Sequence, residues 1–143
     1  MQRFTTTLVA EGSSDQALVP LIEFVLDEHC SVPHVTTFAS DSLGGPLRDR
    51  VARALVLYPC DLLFVHRDAD RAQVFERETE IRAAVQEVVG APTAVCMIPV
   101  RMTEAWLLVD EMAIRRAAGN TSGTANLGVP PISRLETQPD PKH

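Results

Sequence analysis

Leu62, Leu63, Phe64 and Val65 form a short run of large apolar side chains that ends abruptly in His66-Arg67-Asp68-Ala69-Asp70-Arg71. A run too short for a helix, with no polar alternation, predicts a strand buried on both faces, as found in parallel sheets covered by helices on each side. Open α/β sheets gather their ligands at the carboxyl ends of the strands. Asp68 and Asp70 therefore stand where such a sheet does its chemistry, spaced so that two carboxylates of one loop can face a single divalent cation. Taken alone, Asp-x-Asp is more often a solvated turn, because Asp is an ordinary turn residue. A second acid shifts the balance: Glu11 closes another apolar, β-branched run, Phe4 to Ala10.

The rest of the chain supplies the layers that such a sheet needs. Phe4 to Ala10 is predicted as strand 1, with a sharp turn permitted at Gly12. Ser13 or Ser14 can cap a helix whose apolar positions Leu18, Leu21, Ile22, Val25 and Leu26 recur at helical spacing. Val35 to Ala39 is predicted as strand 2, and Gly44-Gly45-Pro46 breaks the chain before helix 2. That helix carries Leu47, Val51, Ala54 and Leu55 on one face, with Arg48, Arg50 and Arg53 expected on a solvated face. After strand 3, helix 3 covers Ala72 to Val89, with Val74, Ile81, Val85 and Val88 inward and Glu76, Arg77, Glu78, Glu80 and Arg82 outward. Strand 4 is Ala94 to Val100. Thr103 is a candidate cap for a short helix through Trp106, and a further helical piece through Ile114 and Ala118 ends at Gly119-Asn120.

Strands alternating with helices predict an α/β fold, a three-layer sandwich with a four-stranded, mostly parallel sheet, right-handed crossovers and helices on both faces. Strand order is not legible in the sequence; if it is 2-1-3-4, strands 1 and 3 are neighbours at the switch point, and Glu11, Asp68 and Asp70 come within reach of one site. Three carboxylates, rimmed by the hydroxyls of Ser13 and Ser14, make an all-oxygen site suited to Mg²⁺ or Mn²⁺ rather than zinc or copper. Residues 1–118 are expected to form the α/β domain. Residues 119–143, with Gly123, Gly128 and four prolines after Leu127, are expected to form an irregular tail that reads as stopping short of a further helix.

Composition narrows the function. With 143 residues, 45% of them apolar, the chain can bury a core of its own. A net charge of -6 argues against gripping nucleic acid by bulk positive charge, though not against a substrate approached through bridging metal ions. Lys142 is the one lysine among 13 basic residues, so the basic contacts are guanidinium forks suited to phosphate or carboxylate. Cys30, Cys60 and Cys96 are scattered, without the spacing of a zinc site, as in a reducing compartment. No apolar stretch has the length of a signal peptide or membrane span, which predicts a cytoplasmic protein with no membrane partner.

Glu11-Gly12 after strand 1 and Asp68-Ala69-Asp70 after strand 3 resemble, over roughly Phe4 to Val100, the Toprim domain of topoisomerases, bacterial primases and overcoming-lysogenization-defect nucleases. The combination of V-A-E-G-S-S-D, H-R-D-A-D, I-P-V-R-M-T-E-A-W-L-L-V-D and the late D-P-K is nearer still to a family of small bacterial Toprim-like proteins of unknown function. The resemblance implies that Glu11 is a general acid/base or metal ligand and that Asp68 and Asp70 are metal ligands. It further implies a Mg²⁺-dependent nuclease or related phosphoryl-transfer protein acting on nucleic acid phosphodiesters, in some relatives beside an ABC/AAA-type ATPase in phage defence. The pattern departs from topoisomerases, since the one tyrosine, Tyr58, sits in the turn before strand 3 and offers no obvious nucleophile.

Further residues are candidates beside those acids. Glu104, after strand 4, is a candidate fourth metal ligand, with helix capping or pairing to Arg101 equally open. Arg67 and Arg71 can hold a phosphate or neutralise the acids, and His66 reads as a packed strand-end residue before it reads as a base. Trp106 is expected in a core, with base stacking as the alternative. Two other classes stay open: a non-catalytic subunit that binds an ATPase partner or a second copy of itself, and a receiver-like signalling domain. A receiver, however, carries its acid pair after strand 1 and a lysine after strand 5, and this chain does neither.

Overall fold

The computed structural model describes residues 3–100, 106 and 108–137. Four strands, β1 (Phe4–Val9), β2 (His34–Phe38), β3 (Leu62–His66) and β4 (Ala94–Met97), form one sheet in the order β2-β1-β3-β4. Every pairing is parallel. The three principal helices are α1 (Val19–His29), α2 (Leu47–Leu57) and α3 (Val74–Gln86), and α4 (Glu111–Ala117) follows later in the chain. The α/β class and the parallel sheet expected from the sequence are observed; the order, which the sequence left open, is the one that makes β1 and β3 neighbours.

Topology explains which helix covers which face. From β1 the chain steps to one side to reach β2, then crosses back over β1 to β3 and continues to β4. With right-handed crossovers, this reversal puts α1 on one face and α2 with α3 on the other. The packing agrees: Val9, Leu63 and Val65 cluster with Leu47, Val51 and Ala54 of α2 and with Ile81 and Ala84 of α3. Leu8 and Phe64 alternate with these strand residues and are also buried, while α1 buries Ile22 and Leu26. A strand pair apolar on both faces is what the unbroken Leu-Leu-Phe-Val run required.

The elements differ from expectation in detail. β4 ends at Met97 rather than Val100, and α3 begins at Val74 rather than Ala72. Leu21 and Val25 of α1, expected inward, are 43% and 44% exposed. Their spacing is helical, but the buried stripe runs through Leu18, Ile22 and Leu26, four residues apart. Neither Ser13 nor Ser14 caps that helix. The chain first makes a 3₁₀ helix, Ser13–Leu18, whose opening is closed by Asp15 Oδ2 accepting from the Gly12 N–H at 3.0 Å.

The chain divides into two compact units: residues up to Arg67 together with Phe75–Ile98, and Asp68–Val74 together with the residues from Pro99 on. The first holds the sheet. Within the second, the Ala69 N–H donates to the Pro99 carbonyl at 2.9 Å, and both residues are buried. Asp110 Oδ1 caps α4 by accepting from the N–H groups of Met112 and Ala113. The tail contains a short 3₁₀ helix, Ile132–Thr137, that buries Leu135. Trp106 is half-buried and lines a cavity of about 330 Å³ with Val109, Ile132 and Leu135. Among the described residues no helix is long and apolar enough to cross a membrane.

Candidate functional site at the carboxyl ends of β1 and β3

β1 and β3 are hydrogen-bonded neighbours in which Leu8 stands opposite Phe64 and Val9 opposite Val65. Two residues further along each strand, Glu11 and Arg67 are therefore level. They meet: Arg67 Nε donates to Glu11 Oε1 at 2.8 Å. The second arm of the same guanidinium, Nη1, donates to Glu80 Oε1 on α3. Glu80 Oε2 in turn accepts from Arg77 Nη1 at 2.9 Å. A line of alternating charge thus runs from the end of β1 across β3 to α3.

Arg67, a candidate phosphate ligand by sequence, sits between two carboxylates, the neutralising role that had been the alternative. Glu80 and Arg77, expected in solvent, are half-buried members of the network. Glu80 carries no sequence signal, because it lies on the charged stripe of α3. His66 is completely buried at the end of β3, as its strand-end placement suggested, with Nδ1 3.4 Å from Asp15 Oδ2. Asp15, which closes the 3₁₀ helix, therefore also lies close to the end of β3, a position its place four residues after Glu11 did not disclose.

Arg50 is the largest correction. Expected on a solvated face, it is 6% exposed and shares the buried stripe of α2 with Leu47, Val51 and Ala54. Its Nη1 donates to the Ala10 carbonyl at 2.8 Å, just before Glu11. Its Nε is buried with no hydrogen-bond partner among the described residues. Burial lowers the Arg50 pKa, nearby Arg67 lowers it further, and Glu11 opposes both. The spacing was a signal: residue 50 stands three after Leu47 and four before Ala54, inside the apolar stripe.

The aspartates follow directly on Arg67 in the chain. Asp68 is half-buried and Asp70 exposed. Asp70 has a φ of 52°, and among the described residues no other non-glycine residue has a positive φ. Asp tolerates that left-handed conformation better than most residues, but it marks a constrained turn. Arg71 lies exposed beside it, and Glu104 falls outside the described residues. The donors offered by Glu11, Asp68 and Asp70 are hard oxygens, the right chemistry for Mg²⁺. Among the described residues, however, no three His, Cys, Asp or Glu side chains are grouped so that they could hold a metal ion. Glu11 is engaged by Arg67.

Other nucleophiles are poorly placed. The Tyr58 hydroxyl donates to Asp41 Oδ2, and this bond raises its pKa. Burial pushes up the thiols of Cys60 and Cys96, which keeps them in the unreactive form. No family model, no curated protein and no solved structure matches the chain.

Proposed function

We propose that the chain is a Toprim-type phosphoryl-transfer protein, a Mg²⁺- or Mn²⁺-dependent nuclease acting on nucleic acid phosphodiesters in the cytoplasm. In this reading Asp68 and Asp70 are metal ligands, with Glu104 as a further candidate, and Glu11 is the general acid/base. The single observation that supports it best is the parallel order β2-β1-β3-β4, which makes the acid-bearing ends of β1 and β3 neighbours at the switch point. A bound divalent cation would supply charge neutralisation on the phosphodiester oxygens. The chain's own task is then to hold the phosphoryl group and move a proton. Glu11 can do the second once Arg67 releases it, since a carboxylate held by a guanidinium is a poor proton acceptor.

A second reading draws on that same ion pair: Glu11, Arg67 and Glu80 form a structural network in a non-catalytic subunit that binds an ABC/AAA-type ATPase or a second copy of itself. Cleavage of single- and double-stranded DNA and RNA, measured with Mg²⁺ and with Mn²⁺, separates the two. The nuclease reading expects cleavage that disappears in Glu11→Ala and in Asp68→Ala, both still folded by circular dichroism. Cleavage that survives in both variants, or none with any substrate and metal, rejects it.

A further inference from the structure

The carboxyl edge of β1 and β3 holds a guanidinium donor that the described hydrogen bonds do not use. Arg67 takes two carboxylates, Glu11 and Glu80, and Arg77 shares Glu80. Arg53 spends its Nη2 on two neutral acceptors, the carbonyls of Ser42 and Gly44. Arg50 spends its Nη1 on the neutral Ala10 carbonyl and leaves Nε without a partner among the described residues. Among the described residues neither Arg50 nor Arg53 forms an ion pair.

A buried guanidinium with no ion pair of its own among the described residues is costly even with the Glu11 charge nearby, and a fold that only needed to fill this position would place an apolar side chain on the stripe between Leu47 and Val51. Arg50 and Arg67 donate to adjacent residues after β1, the Ala10 carbonyl and the Glu11 carboxylate. Two guanidiniums that reach adjacent residues, one with an unused N–H, match an oxyanion that offers several acceptors at once. We propose that Arg50 and Arg67 form a phosphoryl-anion site whose resting counter-ion is the Glu11 carboxylate. The anion takes the place of Glu11 on Arg67 Nε and accepts from Arg50 Nε. Glu11, the more solvent-exposed partner of its ion pair, is released in the same exchange. The site deepens the phosphoryl-transfer reading and rests on it for the identity of the substrate, because capture of the phosphoryl group would itself free the general base.

Inorganic phosphate and pyrophosphate, titrated in metal-free buffer, test the site without cleavage or metal binding. The readouts are the melting temperature and the ¹⁵Nε resonances of the arginines. Both anions should raise the melting temperature and shift the Arg50 and Arg67 signals. Arg50→Met should weaken binding by about tenfold or more, the equivalent of one charge-assisted hydrogen bond. Glu11→Gln, which removes the resident counter-ion, should tighten it. Arg48→Gln, at an exposed position paired with Asp49, should leave it unchanged. If Arg50→Met does not fold, Arg50→Lys keeps the charge but lacks the fork and should also bind more weakly, while the wild-type resonances need no variant. An Arg50 resonance that stays fixed throughout the titration, or weaker binding in Glu11→Gln, overturns the proposal. With no metal present, a negative result here is separate from a failed metal titration, which bears on Asp68 and Asp70 alone.

Discussion

The two ends of the sheet treat charge in different ways. At the amino end, Asp61 precedes β3, and its Oδ2 accepts from both the N–H and the hydroxyl of Thr5 on β1, at 2.8 and 2.9 Å. These bonds hold its carboxyl below the usual carboxylate range. At the carboxyl end, Arg50 is buried with an unused donor, Arg67 is shared between two acids, and Asp70 follows in a left-handed turn. Polar groups that only close a fold tend to be matched, because each unmatched one costs free energy. The unmatched donor lies at the end where parallel sheets bind ligands, the end to which the proposed function is assigned.

Substitutions at the two ends should behave accordingly. The largest effect is expected from Arg50→Ala, which empties buried volume and strips the Ala10 carbonyl of its donor, a loss of about 1–3 kcal/mol in chemical denaturation. Arg50→Met also removes the charge and the donor to Ala10 but keeps the buried volume, so it should recover the packing part of that loss in anion-free buffer. A Met variant as unstable as the Ala variant would show that Arg50 is a structural staple, and the contrast between the ends would fail. Asp61 should have a smaller, pH-dependent effect. Its folded pKa lies below its unfolded one, so its contribution is present above the unfolded pKa and fades as pH falls through the folded value. Asp61→Asn should flatten the acid limb of the melting curve against pH, and an unchanged limb would show that Thr5 does not stabilise the charged form. Smallest of all, Asp70→Gly should alter stability by less than about 1 kcal/mol, since glycine accepts a positive φ freely. A larger loss would mean that the Asp70 side chain is itself structural.

Legibility in the sequence followed burial. The Leu62 to Val65 run could only be a strand covered on both sides, and the alternation of strands and helices then left few topologies. Glu11, Asp68 and Asp70 were visible because each ends or follows an apolar strand. Arg67 was visible as their neighbour, but not as a bridge, because its second partner, Glu80, comes from a helix whose charged stripe looks like any solvated face. Arg50 was hidden by its chemistry: a charged residue within an apolar stripe is normally assigned to solvent, although its spacing put it inside. The opposite error fell on α1, where Leu21 and Val25 were expected inward and Phe24, beside them, is 62% exposed. Hydrophobicity says what burial would gain, and only the neighbouring elements decide which side of a helix is covered.

The acids of the carboxyl end carry the central claim, and a metal titration of the melting temperature tests it most directly. If Asp68 and Asp70 are ligands, Mg²⁺ or Mn²⁺ should raise the wild-type melting temperature in proportion to the logarithm of concentration above the dissociation constant. The Asp68→Asn, Asp70→Asn double variant should show no such rise. A wild type indifferent to millimolar Mg²⁺ and Mn²⁺, or a double variant stabilised as much as wild type, would contradict the assignment.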